Sequence, residues 1–421
     1  MLERFFSKPE TVDRIRGCWL GSSIEDYVGW LVEEKYASRN VFRRVPLLTA
    51  FAAFSEARGI RDLSLLPTVI DDFVAERVRR SKPRNKRRRH ELQKEIRSPI
   101  RHYLRHLDTR GLISLPQPPG PEIPFRKEAP EFFEFLKTVR GLKESSCYLH
   151  RHHLLFFERY LSRIRLRSLA ALTPAHISAF IVSEGRRRCK QVMCLLCTAL
   201  RTFLRYAYMK AVVPEDLSSS VPRPKTYRKS SLPRSITWDE VKAMLAVVDR
   251  RTPVGLRDHA MLLLIVTYGL RAREVASLQL GDIDWKRDRL HIRERKAKHA
   301  TTYPLSETVG QAVLAYLQHA RPETDQRRLF LCCLPPVRPV THATVSMRVT
   351  KYLRKAGARV PRPGSHTLRH TCVTRLVDAG FSLKEIGDYV AHRSPVSTAV
   401  YAKVSMRNLR EVALSDGEDM L

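Results

Sequence analysis

Two proline-rich stretches set where this chain must break. "SLPQPPGPEIP" (114–124) and "PEDLSSSVPRPKTYRKSSLPR" (214–234) cannot sustain helix or sheet, because each proline locks φ and removes a backbone donor. Around them, apolar residues return at i, i+3, i+4 and i+7, the period of half-buried helices. The sequence thus reads as a helical block over 1–113, a proline-rich linker over 114–126, a second helical block over 127–213, a basic linker over 214–234 and a third block over 235–421. Each block is an ordinary domain size.

The first two blocks read as copies of one unit. "YVGWLVEEKYASRNVFRRVPLLTAFAAF" from Tyr27 matches "FFEFLKTVRGLKESSCYLHRHHLLFFERY" from Phe132 in apolar spacing, and "SPIRHYLRHLDTRGLI" (98–113) aligns without gaps on "TALRTFLRYAYMKAVV" (198–213). This pairs Trp30 with Phe135, Phe51 with Phe156, Arg101 with Arg201 and Arg105 with Arg205. Each copy carries a basic run ahead of its last helix, "RVRRSKPRNKRRRH" (77–90) in one and "EGRRRCK" (184–190) in the other.

Charge gives those runs a use. The chain has 76 Lys plus Arg against 43 Asp plus Glu, a formal charge of +33, and self-repulsion of that size points to an anionic partner, nucleic acid foremost. A charge run is commonly a solvated face. Recurring at one place in two copies, it is read here as phosphate-contacting: Arg79, Arg80, Lys82, Arg84, Lys86, Arg87, Arg88 and Arg89 in the first, Arg186, Arg187, Arg188 and Lys190 in the second.

The opening "MLERFFSKPETVDRIRG" shows no signal-peptide pattern, and the longest apolar run, "MLLLIV" (261–266), is too short to span a bilayer. No membrane partner is expected. Eight cysteines scattered through a long chain suit free thiols in a reducing, cytoplasmic compartment. Cys189, Cys194 and Cys197 in "CKQVMCLLC" lack a second ligand pair at zinc spacing and are read as part of a helix.

The third block opens with "SITWDEVKAML", where Thr237 and Glu240 fit a capping box. "DHAMLLLIVTYGLRAREVASL" (258–278) reads as a buried helix, a turn at Gly269 and a second helix. "DRLHIRERKAKHATTYPL" (288–305) alternates as strands, with Leu290 and Ile292 on one face and a turn over Lys296 to Ala300; helices return from 340. The fold class is mainly α (α+β), with one small antiparallel β-sheet. Trp238 and Trp285 are read as core, Arg273 as a solvated or DNA-facing charge, and Arg375 as facing either way.

Four pieces of this block carry chemistry: "TYGLRARE" with Arg271 and Glu274, Lys296 in the hairpin turn, "HTLRH" with His366, Arg369 and His370, and "YVAHRSPVSTAVYAKV" with His392 and Tyr401. His366 and His370 stand at i and i+4 and could grip a metal; His366 and Arg369 at i and i+3 could grip a phosphate. A metalloprotease-type helix carries Glu after its first His, where this chain has Thr367. Two arginines, a lysine, two histidines and a tyrosine suit phosphoryl transfer to a protein nucleophile. Arginine forks match the non-bridging oxygens, Lys and His move protons, and positive charge favours a phenolate.

These pieces resemble the signature boxes of the tyrosine recombinase (phage integrase) family. "YGLRARE" (268–274) is similar to that family's Thr-Gly-x-Arg-x-x-Glu, His366 and Arg369 to its His-x-x-Arg box, and Lys296, eight residues before Pro304, to its hairpin lysine, with Lys298 as the fallback. His392 matches the family's His/Trp position, and Tyr401, nine residues on, its nucleophile. Tyr268 stands where Thr is usual and Ala391 where Gly is usual. The resemblance implies a helical core-binding domain over 127–213, an added copy of it over 1–113, and a mostly helical catalytic domain over 235–421. It implies cutting and rejoining of double-stranded DNA at a specific recombination site through a 3′-phosphotyrosyl link, with no cofactor, metal or ATP. It further implies a homotetramer on DNA, possibly mixed with related recombinases, serving integration, excision or transposition of a mobile element. The 404–421 tail would dock on a neighbouring protomer. Glu274 would buttress Arg271, and His370 would be a structural neighbour. A type IB topoisomerase would use similar residues but only nick and reseal. A decayed, purely DNA-binding regulator would show gaps among the six positions, and a metal-dependent nuclease would need clustered carboxylates; neither is seen in the sequence.

Overall fold

The computed structural model describes residues 1–116, 122–224, 235–293, 300–391 and 398. The chain separates into two compact units, Pro116–Ser230 and the remainder, Met1–Leu115 with Ser231–Leu421. Each is described by itself.

Residues 1–115 build one hydrophobic core from α1 (Pro9–Gly17), α2 (Gly21–Glu33), α3 (Ser38–Glu56), a 3-10 stretch (Leu63–Val69), α4 (Ile70–Ser81) and α5 (Lys86–Thr109). The unit Pro116–Ser230 has its own core from α6 (Phe132–Thr138), α7 (Glu144–Arg163), a 3-10 turn (Leu169–Ala171), α8 (Pro174–Gly185) and α9 (Lys190–Met209). From α2 and α6 onward the element order is the same.

Ring contacts recur in the register read from sequence. Tyr27 meets Tyr103 edge-on at 5.4 Å, and Phe132 meets Phe203 edge-on at 5.3 Å. Trp30 lies 5.1 Å from His106, and Phe135 lies 5.0 Å from Tyr206. One sequence pairing is off by a residue: Phe51 is fully buried, whereas Phe156 is only half-buried and Phe157 fills the core. Helix α9 is long and apolar enough to cross a membrane by length and composition alone, but half of that window is buried within the fold. Its three cysteines have unlike surroundings. Cys189 is the exposed N-cap, Cys194 donates to the Pro224 carbonyl and Cys197 is buried.

The third core surrounds α11 (Pro253–Tyr268), which is buried on nearly every side and therefore lacks a polar face. Thr252 caps its start, accepting from the Gly255 amide at 3.1 Å, and Pro253 occupies the first turn. Around α11 stand α10 (Trp238–Ala246), α12 (Ala272–Ser277), α13 (Glu307–His319), α14 (His342–Lys355), α15 (Ser365–Asp378) and α16 (Leu383–Tyr389). The expected capping box at Thr237 and Glu240 forms at the start of α10. The carboxylate of Asp258 on α11 is fully buried but held by Arg257 at 2.7 Å, by the Tyr352 hydroxyl at 2.9 Å and by Arg348, which ties α11 to α14.

Strands β1 (Ile283–Asp284), β2 (Arg289–Ile292) and β3 (Thr301–Pro304) form one antiparallel sheet in that order. Leu290 pairs with Tyr303 and Ile292 with Thr301, and both Leu290 and Ile292 are buried, as their alternation required. Strand β1 was not expected. Trp285, read from sequence as core, is 42% exposed because it stands in the turn after β1, whereas Trp238 packs at the core's rim with the Arg375 guanidinium 4.0 Å from its ring.

Candidate active site

Helix α11 ends at Gly269, whose φ of +60° lies in the left-handed region that side chains disfavour. A Cβ there would also come within 3.0 Å of Val390 Cγ1 and 3.3 Å of Cys372 Sγ. Only glycine fits, and the tight turn sends the chain directly into Arg271, the N-cap of α12.

Arg271 is held from two sides. Its Nη1 donates to Glu274 Oε1 at 2.7 Å, and its backbone amide donates to Glu274 Oε2 at 2.8 Å. Its Nη2 donates to the Ala391 carbonyl at 3.2 Å. Glu274 is almost fully buried while the Arg271 side chain stays 23% exposed, so the carboxylate anchors a guanidinium that still reaches the surface. Arg369, on α15, is itself buried. Its Nη1 donates to the Gly269 carbonyl and its Nη2 to the Val390 carbonyl at 2.6 Å. The two arginines therefore hang on consecutive carbonyls, 390 and 391.

His366 stands one turn before Arg369 on α15 and is exposed. Loss of hydration on its inner side lowers its pKa below the usual histidine value, and the charges of Arg369 and Arg271 push it the same way. The neutral ring is thus favoured beside two guanidiniums. His370 is half-buried, its ring 6.4 Å from that of His366. Among the described residues no group of three His, Cys, Asp or Glu side chains is placed to hold a metal.

A tyrosine cluster braces this corner, and sequence reasoning missed it. The Tyr268 hydroxyl donates to the Pro304 carbonyl at 3.0 Å and accepts from the Ser306 amide at 2.8 Å, tying the Arg271 turn to the end of β3. The Tyr268 and Tyr303 rings lie 5.1 Å apart, and Tyr303 meets Tyr389 edge-on at 5.0 Å. The Tyr303 hydroxyl donates to the Tyr389 carbonyl. Tyr389 donates its own hydroxyl to the Thr267 carbonyl at 3.0 Å, an engagement that suits a brace rather than a nucleophile. The only sequence signal was Tyr268 standing where threonine was expected. Ala391, the other departure, has φ +48°, a conformation natural to glycine.

Lys296, Lys298, His392 and Tyr401 lie outside the described residues, as does the 404–421 tail. Thr398, three positions before Tyr401, is buried, with its Oγ1 3.3 Å from where a Cβ on Gly387 of α16 would stand.

The basic runs are surface features. Arg79 and Arg80 end α4, Lys82 and Arg84 lie in the connection, and Lys86, Arg87, Arg88 and Arg89 open α5; all eight are exposed. Arg80, Arg87 and Arg88 have carboxylate neighbours at Glu76, Glu91 and Glu95. Arg186 and Arg187 are exposed in the connection after α8, and Lys190 is exposed as the first residue of α9. Arg188 differs. It is half-buried, bonded to buried Glu184 and stacked 4.1 Å over Phe156, so packing within the fold occupies the guanidinium assigned from sequence to DNA.

Residues 234–408 match the model of the phage integrase family. A putative integrase/recombinase of Sinorhizobium fredii, y4rA, is 38% identical over 59% of this chain and 60% of its own length. A second from the same organism, y4rF, is 36% identical over 67% of this chain and 68% of its own length. The chain belongs to the phage integrase family, the tyrosine recombinases. A crystal structure of a lambda integrase (75–356) dimer bound to a COC′ core site shares the fold, with a TM-score of 0.52, 16% identity, and coverage of 66% of this chain and 94% of that one. The mainly helical architecture with a three-stranded antiparallel sheet is the family's, and the matched segment contains α10 to α16 together with every signature box read from the sequence.

Proposed function

We propose that this recombinase cuts and rejoins DNA at a specific site to move a mobile element, with Tyr401 as nucleophile. The phenolic oxygen gives up its proton to a neighbouring histidine and attacks a backbone phosphorus, the bond to the 5′ oxygen breaks, and that leaving oxygen takes a proton from Lys296 to become the 5′-hydroxyl. Arg271 and Arg369 carry the charge that gathers on the non-bridging oxygens, with His366 and His392 donating or moving protons beside them. A 5′-hydroxyl from the partner duplex then attacks the 3′-phosphotyrosyl link and frees Tyr401. The bond energy stays in the covalent link, so the step uses neither ATP nor metal.

The observation that carries this reading is the pair of arginines anchored on carbonyls 390 and 391, with His366 facing out beside them. This supports reading the pair as a preorganised oxyanion cradle, anchored on the carbonyls that immediately precede His392 in the chain. The mobile-element role is supported by the names of the Sinorhizobium relatives, integrase/recombinase, and assembly of protomers on DNA by the lambda integrase dimer seen on its core site. We extend that to four protomers exchanging two duplexes.

The first block would clasp DNA outside the core site. Four basic residues, Lys86 to Arg89, open α5 with no acidic residue in its first turn, so they sit at the positive end of the helix dipole, an arrangement an external phosphate relieves. The test of the whole reading is covalent capture on a nicked core duplex in the presence of chelator. A protein–DNA adduct resistant to denaturant supports it, and loss of the adduct on chelation overturns it.

A further inference from the structure

The unit Pro116–Ser230 contains a cavity of about 340 Å³ that neither the catalytic boxes nor the basic runs account for. Four arginines line it: Arg140 from the connection between α6 and α7, Arg201 and Arg205 one turn apart on α9, and Arg223 beyond the 3-10 turn Leu217–Ser220. Phe135 and Tyr206 supply apolar wall. No carboxylate is among the lining residues, and among the described residues none of the four arginines makes an ion pair.

One donor in this wall lacks an acceptor. Arg201 Nε is sealed from solvent and has no hydrogen-bond partner. A buried donor left unmade is destabilising, and an anionic oxygen that draws the Arg201 guanidinium into the cavity would relieve it. Arg205 Nε donates to Ser218 Oγ at 3.2 Å, which fixes its stem and leaves its terminal nitrogens as donors. The hydroxyls of Thr198 and Thr202, also in the wall, donate back to the carbonyls of Cys194 and Thr198, so the guanidiniums are the groups that can serve a ligand.

The first block shows the contrast. At its aligned positions, Arg101 and Arg105 flank His102, not a threonine. The His102 ring is closed in by Arg44 at 2.8 Å, Tyr27 at 2.6 Å and Tyr36 at 3.0 Å, a network satisfied by the protein's own groups. The second block replaces that network with an open cavity whose charged lining residues are all arginines. It is also separate from the basic run, because Arg201 stands eleven residues beyond Lys190, roughly 16 Å along the helix at 1.5 Å per residue.

We propose that this cavity binds a phosphate group through the forks of Arg140, Arg201, Arg205 and Arg223. Planar guanidiniums match tetrahedral oxyanions by paired donation, and the apolar wall raises the worth of each bond. The phosphate is either one from a DNA backbone or one on a small free molecule, and only the first source rests on the DNA-cutting reading.

The experiment uses the full chain, the exposed double variant Arg140→Gln/Arg223→Gln and, separately, Arg201→Gln. Inorganic phosphate is titrated against chloride at matched ionic strength while the melting temperature is followed; duplex affinity is then measured across salt. Phosphate should raise the wild-type melting temperature and leave both variants unmoved. A backbone source also lowers the slope of log K against log salt by about 0.9 per lost contact. A phosphate shift with an unchanged slope assigns the cavity to a free phosphate compound. Wild type and variants that are indistinguishable in both measurements overturn the proposal. Covalent capture at Tyr401 is scored in parallel, so failure of the cavity and failure of the cutting reading are told apart.

Discussion

Glu274→Gln separates the anchoring of Arg271 from its charge. The buried carboxylate takes one bond from the Arg271 guanidinium at 2.7 Å and one from the Arg271 amide at 2.8 Å. Glutamine keeps the shape and one acceptor oxygen, but turns an amide NH₂ toward one of those donors. Hydrogen bonds to charged groups contribute about 1.5–3 kcal/mol each. Glu274→Gln should therefore lose about 1.5–3 kcal/mol of stability, and Glu274→Ala about 3–6 kcal/mol if both bonds go. On the proposed mechanism Arg271 without its anchor is no longer held for the phosphate, and removing such a preorganised donor should slow chemistry by about 10²–10³. Urea denaturation measures the first effect and single-turnover capture on a nicked duplex the second. In a double-mutant cycle with Arg271→Ala, the pair should show a coupling of about 1–3 kcal/mol. Wild-type midpoint and wild-type capture rate in Glu274→Gln would refute the anchoring argument.

Gly269→Ala forces a side chain into the left-handed region and against Val390 and Cys372, so a loss of about 2–5 kcal/mol is expected from strain and overpacking together; a midpoint unchanged in urea counts against the turn described. At Ala391, where φ is +48°, stability should run Gly at least equal to Ala and both above Val, read by thermal denaturation; Val matching Ala would contradict that geometry. His153 is buried, and loss of hydration, then the neighbouring charges of His152, Arg188 and His150, lower its pKa to about 4. The unfolded chain therefore takes up the proton first as pH falls. Stability is full above pH 6.5 and declines by roughly 3 kcal/mol toward pH 4, a slope that His153→Phe should flatten; a pH profile identical to wild type would exclude the assignment.

Much of this architecture was legible because it is written in side-chain type. Leu290 and Ile292 alternate toward the core, Thr237 and Glu240 form their cap, and the aromatic positions of the two helical blocks recur in register at Tyr27 and Phe132. The pairing of Arg271 with Glu274 was likewise readable at i and i+3. The hooks that hold the arginines were not. Arg271 and Arg369 end on the carbonyls of Ala391, Val390 and Gly269, and a backbone carbonyl carries no residue signature. The same reason hides the bracing by Tyr268, Tyr303 and Tyr389, whose hydroxyls all bond main-chain atoms. Trp285 was misread because an aromatic in a turn next to a short strand looks like core until the strand's end is known. The partners of Arg188, Glu184 and Phe156, were not legible, because helix geometry and a second helix bring them to it.

The central claim is that Tyr401 becomes covalently joined to DNA. Its most direct test is to trap the adduct on a suicide duplex, digest it, and locate the nucleotide-bearing residue by mass spectrometry, with Tyr401→Phe beside it. Loss of one phenolic oxygen should leave duplex binding intact and abolish the adduct, and the wild-type mass shift should fall on Tyr401. An adduct that persists in Tyr401→Phe, or a mass shift on another residue such as Tyr389, would contradict the account.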